Sequence, residues 1–511
     1  MAAILSGRDV LLVLPTGAGK SLAYQLPAVL LDGPTLVVSP LLALQRDQMD
    51  ALNELGGRTR AVRISSAETE HQREEALADI ESGAEFLFLS PEQLAKPEVL
   101  DRVRRLRPSL VAVDEAHCVS SWGHDFRPSY LELGDLIHEL GSARIIALTA
   151  TAAPPIRDDI VAQLRLRDAV TITQGLARDN IRLGVERCAD AGSQAAAVAR
   201  AATSVEGPGI VYVRTRRAAT QYAAALAEAG LRSSAYHAGQ PKKARDRAQA
   251  QFDGGELDVI VATSAFGMGI DKPDVRYVLH AHAPESLDSY YQEVGRSGRD
   301  GEPAFATLFF RPEDLNLSKF FAPGVPSAVD VADVAAATGG NSLDADERRA
   351  LAAALSIGPV ALARILNLLS EVETASRRAH TDVATIVADV IARAETHRSL
   401  QLSRIDMMRG YAETSRCRRR FLLGYFGEHT TEPCGNCDAC SLDAAPPAGP
   451  TEAEVGPGLP VETRVQHAEF GDGLVVDNDG RVVTVLFADV GYRTLLLDTV
   501  LDRGLLTPLV S

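Results

Sequence analysis

An apolar, β-prone run, Val10-Leu-Leu-Val-Leu14, feeds straight into Pro15-Thr-Gly-Ala-Gly-Lys-Ser21. The run reads as a buried strand. Gly17 and Gly19 let the backbone turn its N–H groups toward phosphate oxygens. Lys20 is placed to reach the β- and γ-phosphates of a nucleotide, and the Ser21 hydroxyl to coordinate Mg2+. Leu22-Ala-Tyr-Gln-Leu26 reads as a helix, whose N-terminus also faces the anion. The first glycine of the general phosphate-loop pattern is absent. A strand, a phosphate turn and a helix in this order commit the first part of the chain to a parallel sheet with helices on both faces.

Three later motifs extend this reading. Asp114-Glu-Ala-His117 follows Leu110-Val-Ala-Val113, a second buried-strand run. Carboxylates at the C-terminal edge of a parallel strand sit beside the nucleotide site. Asp114 is expected to hold magnesium largely through water, and Glu115 to orient and deprotonate the attacking water. Leu-Thr-Ala-Thr-Ala stands at 148–152, and Gly295-Arg-Ser-Gly-Arg299 far downstream. Three glycines near two arginines, Gly301 included, suit close packing against another lobe, where Arg296 or Arg299 would stabilise charge on a transferring phosphoryl group. The motif order describes a two-lobed motor.

The chain has 511 residues, 46% of them hydrophobic, enough for three or four domains. Its formal net charge of −16 has the wrong sign for a simple nucleic-acid coat protein, so any nucleic-acid binding would depend on local patches and stacking. Candidate patches are Arg214–Arg217, Lys242–Arg247 and Arg416–Arg420; each reads equally as a solvated helix face. Trp122, the sole tryptophan, lies among His124, Phe126, Arg127 and Tyr130. Aromatics interleaved with arginine suit stacking on unpaired bases, although a tryptophan also serves as a local core plug. Of six cysteines, Cys118 and Cys188 are isolated. Cys417, Cys434, Cys437 and Cys440 supply four thiolates, suited to tetrahedral structural Zn2+ or to an iron–sulfur cluster. No signal peptide and no uninterrupted apolar run long enough to span a membrane is visible, so a soluble, cytoplasmic protein is expected.

Taken together, these motifs resemble those of superfamily 2 helicases, specifically the RecQ family of DNA helicases. The distinguishing stretch is Asp114 to Tyr130, which in that family continues into an aromatic-rich loop coupling DNA binding to hydrolysis. Ser39-Pro-Leu-Leu-Ala-Leu-Gln-Arg-Asp-Gln48, Tyr236-His-Ala-Gly239 and Ala262-Thr-Ser-Ala-Phe-Gly-Met-Gly-Ile-Asp-Lys-Pro273 also match. The resemblance implies ATP-dependent DNA unwinding with 3′-to-5′ movement, in repair and recombination. It implies catalytic roles for Lys20, Asp114, Glu115, His117, Arg296 and Arg299. ATP contacts would come from Thr16, Gly17, Gly19, Lys20, Ser21, Gly269 and Asp271, and single-stranded or forked DNA contacts from Trp122, Phe126, Arg127, Ser39 and Gln45. It favours zinc at the four cysteines. An RNA helicase and a catalytically weak binding platform are the competing readings; the aromatic loop opposes the first, and intact Lys20, Asp114, Glu115 and Arg299 oppose the second.

The expected fold is α/β: two RecA-like parallel-sheet lobes at 1–170 and 171–315, a helical, winged-helix-like module at 325–400, and a zinc-binding segment at 401–441. A flexible linker at 442–462 and a small β-barrel at 463–511 follow. Within the helical module, Leu362, Ile365, Leu366 and Leu369 follow helical spacing, as in a recognition helix. The last segment has short alternating strands with glycine turns and resembles the Tudor-like tail of UvrD-type helicases, which implies RNA polymerase as a partner. A chain ended at Ser441 is expected to keep the motor's activity. Family members carry an adenine-reading glutamine upstream of the phosphate loop, where this sequence has only Met1–Asp9; a misassigned or truncated start, or weakened adenine selectivity, is expected.

Overall fold

The architecture is that of a computed structural model, which describes the chain apart from residues 41, 57–58, 66–67, 121–127, 131, 142, 265, 267–271, 340–342, 344, 376–381, 429, 431, 443–458 and 510–511. The first lobe is a seven-stranded sheet of β1 (Val10–Val13), β2 (Thr35–Val38), β3 (Ala61–Ile64), β4 (Phe86–Leu89), β5 (Leu110–Val113), β6 (Arg144–Thr149) and β7 (Val170–Thr173). Their spatial order is β3-β4-β2-β5-β6-β1-β7, every pairing parallel. Strands β1, β2, β4 and β5 are buried along their whole length. That is why they read as unbroken apolar runs rather than alternating ones. The two faces of this sheet contribute to separate apolar clusters, as helices on both sides require.

The second lobe has six parallel strands: β8 (Ile181–Arg187), β9 (Gly209–Tyr212), β10 (Ser233–Tyr236), β11 (Val259–Ala262), β12 (Tyr277–His280) and β13 (Ala304–Phe310). Their order is β10-β11-β9-β12-β13-β8. The expected boundary at 170 cuts into β7, which pairs with β1 and belongs to the first sheet. Residues 174–180 form the connection between the lobes.

Among the described residues, 325–413 are helical, with helices at Ala328–Thr338, Ala345–Ala354, Pro359–Ala375 and Val383–Glu413. Leu362, Ile365, Leu368 and Leu369 are buried in this module's own core, with Leu366 packed against it, as the helical spacing requires. The last helix runs for 31 residues straight through the expected boundary at 400. No single helix is long and apolar enough to cross a membrane among the described residues.

The C-terminal segment is a five-stranded antiparallel sheet of β14 (Arg464–His467), β15 (Gly471–Asn478), β16 (Val482–Phe487), β17 (Gly491–Leu496) and β18 (Leu506–Pro508), ordered β17-β16-β15-β14-β18. It does not hang free. Tyr492 is 6% exposed and its ring lies 5.0 Å from that of Tyr425. Gly491 has φ +74°, and a methyl group there would lie 2.2 Å from Ser403 Oγ and 3.3 Å from Leu400 Cα, so only glycine permits the approach. Arg416 pairs with Asp477 at 3.1 Å and Asp479 at 3.4 Å. The sheet is therefore packed against the rest of the chain and completes the core around Tyr425. Tyr492→Ala is expected to destabilise the fold by about 3 kcal/mol, as for other buried aromatic truncations, and ending the chain at Ser441 to lower the thermal midpoint further. Full-length midpoints for both chains would show that the sheet is merely appended.

Candidate active site and metal centre

The phosphate turn sits between β1 and the helix Lys20–Leu30. Gly17 and Gly19 hold φ +84° and +79°, left-handed conformations that side chains resist, and Gly19 caps the helix. Lys20 Nζ donates to the Leu14 carbonyl at 3.4 Å. Burial pulls the Lys20 pKa down, while Glu115 and Asp114 oppose that fall and Arg299 adds to it. The Asp114 carboxyl moves the other way, raised by burial and opposed first by Lys20. The half-buried Lys20 and the buried Asp114 act on each other across the turn.

Gln48, from the helix Leu42–Leu55, joins the two oxygen ligands expected for magnesium. Its Nε2 donates to Ser21 Oγ at 3.3 Å and to Asp114 Oδ2 at 3.4 Å, and its Oε1 accepts from the Tyr24 hydroxyl at 3.2 Å. Both oxygens converge on one donor, and a hydroxyl with a carboxylate is the hard-oxygen chemistry that magnesium takes. Gln48 closes a motif quoted from the sequence, but nothing in its spacing assigns it this place. Ser39 and Gln45 lie in the same stretch as Gln48. Both are fully buried, and Gln45 Nε2 donates to the Ser39 carbonyl at 2.7 Å at the end of β2.

Glu115 holds φ +50°, unusual for a residue with a side chain. The Asp114 carboxylate accepts its backbone N–H at 2.9 Å. His117 Nδ1 lies 3.3 Å from Glu115 Oε2 and 3.1 Å from Thr149 Oγ1. The Thr149 hydroxyl in turn donates to the Thr151 carbonyl and accepts from the Thr151 N–H, at 3.0 and 3.2 Å. A chain of polar contacts thus runs from Glu115 to the threonines at the end of β6. Tyr130 is fully buried in the first lobe's core. Trp122, Phe126 and Arg127, and also Gly269 and Asp271, lie outside the described residues.

The second lobe brings Arg299 to the turn. A methyl group on Gly17 would lie 3.4 Å from the Arg299 Cγ, and one on Gly295 would lie 3.4 Å from the Thr16 Cβ. Arg296 lies beside the Tyr212 hydroxyl, whose own proton goes to the Phe266 carbonyl at 2.9 Å.

The four cysteines form one cluster, with sulfurs within 4.8 Å of one another. Cys417 caps the helix Arg418–Tyr425, and Gly435, at φ +65°, makes the turn after Cys434. Backbone N–H groups of Cys434, Asn436 and Cys440 point at the sulfurs of Cys417, Cys434 and Cys437, each at 3.4 Å. N–H donors on the sulfurs stabilise thiolates, as a tetrahedral zinc site requires. Two arginines of the basic run around Cys417 are turned inward: Arg418 pairs with Asp438 at 3.0 Å and Arg419 with Asp179 at 3.0 Å, both buried, while Arg416 stays exposed.

Comparison with known proteins divides the chain the same way. Residues 1–159 match the DEAD/DEAH box helicase family, 194–301 the helicase conserved C-terminal domain, and 373–441 the RecQ zinc-binding family. The probable ATP-dependent DNA helicase RecS of Bacillus subtilis is 38% identical over 442 residues, 86% of each chain. The chain belongs to the RecQ family of ATP-dependent DNA helicases. The RecQ helicases of Bacillus subtilis and Haemophilus influenzae are 34% and 35% identical, and the matched stretch spans 61% and 60% of their lengths. Among solved structures, the DNA-bound DUF1998 helicase MrfA aligns over 62% of this chain and 46% of its own with TM-score 0.52 at 18% identity, a likeness of fold. Within the RecQ family the four-cysteine cluster reads as a zinc site, and the two parallel lobes as its ATP-using motor.

Proposed function

We propose that this chain is an ATP-driven DNA helicase that moves 3′ to 5′ along single-stranded DNA and opens forked duplexes. The observation that carries the reading is the meeting of Arg299 with the Gly17 turn, beside Lys20, Asp114 and Glu115. One lobe holds phosphate and the other presents positive charge to it, so hydrolysis is tied to the spacing between lobes. Lys20 and the turn's N–H groups would bind the β- and γ-phosphates. Ser21 and Asp114 would hold magnesium, which neutralises phosphate charge. Glu115 would take the water's proton, His117 would orient Glu115, and Arg299, with Arg296, would stabilise the transferring phosphoryl group. Gly269 and Asp271 would add nucleotide contacts. The C-terminal sheet would act as a Tudor-like small barrel, with RNA polymerase as its partner.

The test is strand separation on forked DNA against an RNA duplex, each with and without ATP. Opening of DNA alone, and only with ATP, is expected; equal opening of RNA would overturn the substrate assignment. Trp122 and its neighbours Phe126 and Arg127 would contact the single strand, where a stacked base contributes roughly 1–3 kcal/mol. Trp122→Ala is therefore expected to keep ATP binding and lose most DNA-stimulated hydrolysis. Since it is the sole tryptophan, wild-type fluorescence should also change on addition of single-stranded DNA. Unaltered stimulation in the variant would return Trp122 to a core role.

A further inference from the structure

The connection between the lobes carries a side chain that no motif singled out. Arg178 is half-buried, and burial lowers its pKa without removing its charge. All five of its N–H donors belong to a flat, rigid fork. One arm, Nη1, donates to the Thr16 carbonyl of the phosphate turn at 3.1 Å and lies 3.4 Å from the Gly295 carbonyl. The other, Nη2, donates to the carbonyls of Ser297 and Gly298 at 3.1 and 2.8 Å. One guanidinium therefore grips the first lobe's turn and the second lobe's arginine loop together. The neighbouring Asn180 Nδ2 adds a donor to the same Gly298 carbonyl at 2.8 Å.

The fork is itself held from behind. Arg419, one of the buried arginines beside the cysteine cluster, donates to the carbonyls of Arg178 and Ile181 at 3.0 and 2.6 Å. Asn436, between two of the cysteines, donates to the Asp179 carbonyl at 2.9 Å. Upstream, Glu428 accepts the Leu176 N–H at 2.6 Å and Tyr291 donates to the Leu176 carbonyl at 2.8 Å. The connection is pinned on both sides of Arg178.

We infer that Arg178 is a positioning residue for hydrolysis: it sets the Arg296–Arg299 loop at the correct distance from the phosphate turn, with Arg419 fixing its backbone. The inference rests on the role proposed for Arg299. It touches the peptide groups that carry the reacting side chains, not the nucleotide, so its loss should act on kcat rather than on ATP affinity. A displacement of about 1 Å of a catalytic group costs about 10²-fold in rate.

The experiment is a double-mutant cycle on the full-length, zinc-loaded protein, reading DNA-stimulated phosphate release against ATP concentration. Arg178→Ala is expected to lower kcat about 10- to 100-fold with KM for ATP within about 3-fold of wild type, because Lys20 and the glycine turn are untouched. Arg178→Lys, which keeps charge but not the fork, should fall between the two. Arg187→Ala, which removes a contact from β8 to the Glu413 carbonyl at 3.0 Å, is the control and should keep full kcat. In an Arg299→Ala background, Arg178→Ala should cost less than about 3-fold more, because both act through one group. Multiplying losses, or a wild-type kcat in Arg178→Ala, would overturn the inference. A wild-type kcat in Arg299→Ala alone would instead remove the role proposed for Arg299, and this inference with it. If Arg178→Ala does not fold, Arg178→Lys takes its place in the cycle: losses that fail to multiply support the positioning role, and multiplying losses or a wild-type kcat overturn it.

Discussion

Glu115→Gln should bind ATP as wild type does and turn it over about 10²- to 10⁴-fold more slowly, the range a positioned general base contributes. The argument is geometric. Glu115 sits at φ +50°, where its backbone is held by the Asp114 carboxylate, and its side chain reaches His117. Glutamine keeps the size and the contacts of this side chain. It loses the capacity to accept a proton. Nucleotide affinity depends instead on Lys20, Ser21 and the glycine turn, which the substitution leaves alone. Single-turnover phosphate release on a DNA effector, beside binding of a fluorescent nucleotide, checks both halves. Wild-type turnover in this variant would remove water activation from Glu115.

The second large effect is at the cysteines. Cys437 is fully buried, its residue bridges to Leu183 at the start of the second lobe, and the carbonyl of its neighbour Asn436 accepts the Leu183 N–H at 3.4 Å. Freshly purified protein should contain about one zinc per chain. Structural zinc contributes apparent binding energies of about 10–16 kcal/mol in small zinc modules, far more than any single hydrogen bond here, at about 1 kcal/mol. Cys437→Ser is therefore expected to lose the metal and unfold the segment 417–440. The hold of Arg419 and Asn436 on the inter-lobe connection should go with it. Elemental analysis with a thermal melt tests this. Iron with sulfide, or a metal-free protein of unchanged midpoint, would defeat the zinc assignment.

The parts of this site that were legible in the sequence are those where one short stretch must do unusual chemistry. The glycine turn, the Asp114–Glu115 pair, the paired arginines and the cysteine spacing each announce themselves within a few residues. Strand runs were legible because parallel strands buried on both faces are uniformly apolar. What stayed hidden depends on distant partners. Arg178 meets Gly298 across 120 positions and Arg419 meets Ile181 across 238, and no local pattern encodes either contact. Gln48 looks like any polar helix residue until Ser21 and Asp114 are folded around it. The docked tail escaped notice because a proline- and glycine-rich stretch before it suggested independence, while Gly491 and Tyr492 carried the packing.

The helix Val383–Glu413 has a mechanical consequence. At about 1.5 Å per residue its 31 residues make a rod about 46 Å long. Its first part lies in the core of the helical module through Val390 and Ala394, its middle bears the C-terminal sheet at Leu400 and Ser403, and Tyr411 reaches the second lobe's Tyr290 at 3.1 Å. The Arg187 side chain holds its end at Glu413. One beam thus has three attachments and no joint between them. A swing of about 5° about the end near Glu413 carries the opposite tip through about 4 Å, since travel grows with rod length. Any tilt at the Glu413 end would therefore reach the far tip as a larger linear displacement.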